Sequence, residues 1–163
     1  MKTIQILLLI CSTIGFAQEK PELTPTGFAP IVIERPAKTI EKLIEASKAW
    51  ADSYIKDEHD VYDITENSLS VDALRDNAFF YRNLGETFKY TIRYTLKVSF
   101  EEKTCVLTFA VKDIYANRTL TKTTVADFFA PDGRLKEDYE EVKPSLELTA
   151  SKIIRSYTNF ISD

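Results

Sequence analysis

Glycine is scarce, with four residues in a chain of 163. None of them builds a G-x-G-x-x-G loop, a P-loop or a G-x-S-x-G elbow, so those phosphate cradles and nucleophile turns are excluded. Histidine occurs once, at His59, and there is no H-E-x-x-H motif. Any histidine-based triad must therefore use His59. No apolar run reaches the roughly 20 residues that a membrane-spanning helix needs. Basic residues are not in excess: 21 Lys and Arg face 25 Asp and Glu, for a net charge of −4. That balance argues against nucleic acid as a partner. Cysteine occurs twice, at Cys11 and Cys105.

The first residues, "MKTIQILLLICSTIGFAQEK", have the organisation of a secretory signal. Lys2 is the charged start, Ile4 to Ile10 the apolar middle, and Gly15 and Ala17 the small residues before a cut. The expected boundary lies between Ala17 and Gln18. A lipoprotein cut at Cys11 is disfavoured because Ile10, just before it, is not small. The chain is expected to be exported, to periplasm or exterior, with 146 residues remaining, a net charge of −5 and no membrane span. Cys105 is then alone, so no internal disulfide can form.

Residues 19–30 carry three of the six prolines, and 18–28 read as an extended leader. Residues 29–163 read as one domain. "IVIERP" suggests a strand closed by Pro36. Residues 39–55 predict a helix: Ile40, Leu43, Ile44, Ser47, Trp50, Ala51 and Tyr54 recur at helical spacing, and Thr39 is placed to cap. Leu69, Val71 and Ala73 alternate with polar residues in a short strand, and "RDNAFFYRNLGE" reads as an aromatic loop.

The clearest pattern is "TFKYTIRYTLKVSF" (87–100). Even positions are apolar and odd positions polar, without a break, as in a half-buried strand. Its partner, 104–114, carries Cys105, Leu107, Phe109 and Val111 on one face. Joining the two with both apolar sets on one side requires opposed residues to sum to an odd number, such as 100 with 105. The turn at "EEKT" must then hold an even number of residues. Residues 119–129 suggest a further strand. A closing helix carries Leu146, Ala150, Ile153, Ile154, Tyr157 and Ile161 on one stripe. These elements predict an α+β fold of two layers, a mostly antiparallel sheet with two helices on one face.

Three constellations bear on function. Lys89, Arg93 and Lys97 line the polar face of 87–100, and Lys112 is expected to continue it on the next strand. If the helices take the other side, this face is open and basic, suited to an anionic ligand. The consecutive aromatics Phe79, Phe80 and Tyr81 either cap the core or form a partner surface. The acidic stretch around His59, with Asp57, Glu58, Asp60 and Asp63, reads as a solvated surface rather than a metal site. Cys105, on an apolar strand face, reads as buried and inert.

The signal, "IVIERPAKTIEKLIEASKAW", the block "NAFFYRNLGETFKYTIRYTLKVSFEEKTCVLTFAVKDI" and the terminal helix resemble a family of exported Bacteroidetes proteins. Their domain is of unknown function and has a TATA-binding-protein-like (TBP-like) fold. The resemblance covers about residues 29–161 and implies the order β-α-β-β-β(-β)-α. It carries over no functional residue, and a shared fold does not imply a shared ligand.

The resulting expectation is a non-catalytic binding module using the open sheet face or the aromatic stretch. Its partner would be an envelope protein or an anionic ligand, with no metal or other cofactor. The competing readings are a hydrolase or metal-dependent enzyme built around His59, and a structural subunit of an envelope assembly.

Overall fold

The computed structural model describes residues 20–56 and 58–163. The signal segment, its cut after Ala17, and Asp57 lie outside the described residues.

Helix α1 (Ile40–Tyr54) forms where the apolar spacing places it. The Thr39 side chain accepts a hydrogen bond from the Lys42 N–H, satisfying one of the donors that a helix start leaves unpaired. Helix α2 (Val142–Ser162) buries Leu146, Ala150, Ile153, Ile154, Tyr157 and Ile161, the residues of the expected stripe, together with Val142 and Thr158. The helices are joined across their contact by polar bonds. Ser47 donates to the Leu43 carbonyl at 2.7 Å, so the Tyr157 hydroxyl, 2.9 Å away, donates to Ser47.

The strands are β1 (Leu23–Thr24), β2 (Gly27–Phe28), β3 (Ile31–Glu34), β4 (His59–Tyr62), β5 (Ser68–Asn83), β6 (Glu86–Phe100), β7 (Thr104–Ala116) and β8 (Thr119–Leu120). The main sheet runs β3-β7-β6-β5-β4, with β8 paired to β7, and all its pairs are antiparallel. Phe100 stands opposite Cys105, the odd-sum register that the two apolar faces require. Residues 101–104 make the turn, closed by the Glu101 N–H on the Thr104 carbonyl at 2.8 Å. Both helices pack on the face carrying Leu69, Val71, Ala73, Ile92, Leu96, Val98, Leu107 and Phe109.

Three expectations are corrected. Residues 21–28 are not a leader: β1 and β2 form a hairpin that puts Leu23 (1% exposed) and Phe28 into the core. The stretch 119–129 is not one strand, for only Thr119–Leu120 pairs before the chain coils into a 3-10 turn at Val125–Phe128. The aromatic loop is the second half of β5. Between Arg75 and Phe79 the strand bulges through Asn77 (φ 50°), inserting two residues against β6. An even insertion preserves the alternation, so Phe79 and Tyr81 still face the core side. The bulge and the run of like residues hid that period in the sequence.

Leu84 and Gly85, with φ of 50° and 82°, make the two-residue turn between Asn83 and Glu86. Positive φ at both positions is the type I′ hairpin turn, which favours Asn-Gly. Leu84 is 97% exposed, so its side chain gains little packing to offset that backbone conformation. Leu84→Asn is expected to stabilise the protein by about 0.5–1 kcal/mol. A rise in the urea midpoint checks this, and an unchanged or lower midpoint contradicts it.

Beyond β4, the outer edge of β5 is closed by α2. Glu141 accepts the Arg82 N–H (2.9 Å), Ser145 accepts the Phe80 N–H (3.4 Å), and Thr149 donates to the Ala78 carbonyl (2.6 Å). Four helical residues rise about 6 Å, close to the roughly 6.6 Å of two strand residues. A polar stripe at i, i+4, i+8 therefore matches the outward groups of a strand. It covers an edge that would otherwise invite pairing.

Candidate binding face

The face of the sheet away from the helices carries Thr87, Lys89, Thr91, Arg93, Thr95, Lys97 and Ser99 from β6. Cross-strand register supplies the rest. Lys97 lies between Ser70 and Thr108, Thr95 between Asp72 and Ala110, and Arg93 between Leu74 and Asp113. Neither helix packs on this side.

The face is not a uniform basic strip. Lys112 does not continue it in register, because β7 bulges there: Tyr94 pairs with Val111 and Arg93 with Asp113, leaving Lys112 as the extra residue. Asp113 takes the place opposite Arg93, with its carboxylate 3.8 Å from the guanidinium. A hydrogen bond to the Tyr115 hydroxyl, then the charges of Asp113 and Asp72, hold the Arg93 proton more tightly than usual. Asp72 accepts from the hydroxyls of Thr95 and Tyr62. Lys89 and Lys97 are exposed and make no ion pair among the described residues. The three cations thus divide into a neutralised centre and two open ends. The ends are eight residues apart, about 26 Å along the strand.

Asp72, Asp113, Tyr62 and Tyr115 are the residues of this face that sequence reasoning missed. The signal for Asp113 was present: the apolar set of β7 is odd-numbered through Val111, then resumes at Ile114. A switch of parity within one strand marks a one-residue insertion.

The aromatic stretch splits by strand alternation. Phe79 is 1% exposed, stacked on Tyr90 at 4.9 Å and edge-on to Phe128 at 5.5 Å, so it belongs to the core and not to a partner surface. Tyr81 is half-buried against Phe88 and Tyr139. Phe80 alone turns to the open face, where the Arg82 guanidinium lies 5.5 Å from its ring centre. Burial, then the hydrogen bond with Tyr81, pushes the Tyr90 phenol up to about 12.

The residues around His59 do not converge. His59 lies opposite Ala73 and Asp60 opposite Asp72, so alternation sends them to opposite faces. The His59 Nε2 is 3.2 Å from Asp52 of α1. Among the described residues no three His, Cys, Asp or Glu side chains gather as metal ligands.

An antiparallel sheet with two helices on one face, in this strand order, is a TBP-like α+β fold. A TBP-like protein from Parabacteroides distasonis superposes with a TM-score of 0.50 at 12% identity, covering 83% of this chain and 92% of that one. A DUF4468 family protein from Bacteroides ovatus superposes with a TM-score of 0.53 at 10% identity, covering 81% and 80%. At such identities the likeness is one of fold alone. No protein-family model and no curated protein matches the sequence. No helix among the described residues is long and apolar enough to cross a membrane.

Proposed function

We propose that this chain is an exported, non-catalytic binding module whose recognition surface is the open face of the sheet. One observation supports this most. The β1–β2 hairpin and both helices pack on one side of the sheet, and neither helix packs on the polar side, whose middle residues Ser70 and Thr95 are buried while its ends are exposed. Lys89 and Lys97 stand exposed at the two ends of that side. A matching partner presents acidic groups toward those ends and a near-neutral middle toward the Arg93–Asp113 pair.

The test starts from residues 18–163 as bait for envelope extract, followed by measurement of Kd for the purified partner. Replacing Lys89 and Lys97 together by Gln is expected to weaken binding by about tenfold, and raised salt should reproduce the loss. Arg93→Gln should do less, since Asp113 already offsets that charge. Unaltered affinity in the double variant, with the circular dichroism spectrum unchanged, removes the face from consideration.

Export rests on the charged start, the apolar middle, and Gly15 and Ala17 before the cut. The intact mass of the secreted protein should correspond to a chain beginning at Gln18. A mass retaining Met1 overturns it.

A further inference from the structure

The helical layer has two unlike flanks. On one, the β1–β2 hairpin lies against α2: the Leu23 N–H donates to Glu147 (2.9 Å), and Lys143 donates to the Leu23 carbonyl (2.6 Å). On the other side of α2 lies α1, joined through Trp50 and Ser156. From Glu147 to Ser156 is about two and a half turns of helix, so the two contacts fall on opposite sides of α2. The far side of α1 meets the connection between β4 and β5. Each flank carries a groove. The groove beside α2, of about 430 Å³, has Leu148 (55% exposed) among Lys20, Lys152 and Arg155. The acid in that lining, Glu147, is already held by Lys143 at 3.0 Å and by the Leu23 N–H. The three cations make no ion pair among the described residues. The groove beside α1, of about 870 Å³, is lined by Ile40, Ile44 and Ile64 (47% exposed) and rimmed by Glu41, Glu45 and Glu66. Lys48 offsets Glu45 at 2.8 Å, while Glu41 and Glu66 make no ion pair among the described residues.

We infer that these grooves are the two halves of one contact between copies of this chain. The α2 flank of one copy, led by Leu148, seats in the α1 groove of the next. Leu148 meets Ile40, Ile44 and Ile64, removing from water apolar surface that a lone chain leaves exposed. Lys152 and Arg155 meet Glu41 and Glu66. Leu148, Lys152 and Arg155 follow one another at helical spacing, so a single stripe of α2 presents the apolar group and both charges together. The α1 groove is the larger, so it receives and the α2 stripe inserts. Two like grooves cannot pair, because cation would face cation or acid would face acid. The contact is therefore head-to-tail. The grooves lie on opposite flanks, so each copy can hold one neighbour on either side, and the contact repeats beyond a pair. The open sheet face takes no part, so this inference stands apart from the proposed recognition surface.

The experiment is sedimentation velocity of residues 18–163 at rising protein concentration in low salt. The sedimentation coefficient should climb past that of a dimer, and raised salt should lower it. Glu41→Lys with Glu66→Lys makes both grooves basic, and Lys152→Glu with Arg155→Glu makes both acidic. Each double variant alone should sediment as a single chain. An equimolar mixture of the two should associate again, since every groove then finds one of opposite charge. Leu148→Ser, at an exposed position, should weaken association about tenfold and leave the core intact. A wild type that stays a single chain at every concentration overturns the inference. So does a complex that stops at two copies, association that persists in either double variant, or a mixture that fails to associate. If a double variant loses its native circular dichroism, Leu148→Ser and the salt series on the wild type decide, and an unchanged association in either overturns the contact.

Discussion

Cys105→Asp should leave the chain unable to hold its native core under ordinary conditions. Cys105 is 0% exposed and lies between Phe100 of β6 and Ile33 of β3. Burial already pushes its thiol up to about 11, outweighing the opposing pull of Arg35. A carboxylate at the same place has no cation to pair with in the sheet interior and costs about 3–5 kcal/mol. That is a large part of the roughly 5–15 kcal/mol that holds a domain of this size. The sign of the pH dependence follows. The buried acid has a folded pKa above its unfolded value, so the variant is least damaged at low pH and loses stability as pH rises through that range. Denaturant midpoints by circular dichroism at several pH values measure it. A midpoint like that of the wild type, or one that improves with rising pH, contradicts the burial of Cys105.

The same rule applies to the wild-type thiol. Its contribution is fully present below its unfolded pKa and is lost as pH climbs toward about 11.

Trp50→Ala is the second large effect, about 3–5 kcal/mol. Trp50 is fully buried on the inner face of α1, stacked on Tyr54 at 5.4 Å and edge-on to Tyr157 at 5.2 Å. Its indole N–H donates to Ser156 of α2 at 3.2 Å. Removal opens a void where the two helices and the sheet meet, and a rigid core closes such a void only in part. Trp50→Phe should cost clearly less, because it keeps a ring against Tyr157. Trp50 is the sole tryptophan, so unfolding must be followed by far-ultraviolet circular dichroism rather than fluorescence. Equal midpoints for the Ala and Phe variants would show that burial of the ring is not what stabilises the contact.

Much of the fold could be read from the chain because it is set by local periodicity. The helical spacing of Ile40 to Tyr54 and the unbroken alternation of 87–100 each commit a segment to one secondary structure and one buried face. The odd-sum register of Phe100 with Cys105 followed from parity alone. Pattern reading is disturbed where residues are inserted, and both insertions fall in long strands: two residues in β5, which keep parity, and one in β7, which switches it. In β5 the insertion disguised the aromatic half as a loop. In β7 it displaced Lys112 and set Asp113 opposite Arg93, changing the charge of the candidate face.

The composition of that face depended on strands far apart in sequence. Asp72 and Asp113 flank β6 only after three strands have paired, and no spacing within one strand reports its neighbours. Leu23 and Phe28 were read as leader because prolines mark irregular backbone; their burial is decided by the surface that α2 and β7 offer them. The sequence by itself determined which residues alternate and which side each element buries, since those depend on near neighbours. Only the tertiary structure decided which charges meet and which edge α2 closes. Those properties depend on distances between segments that local preference does not encode.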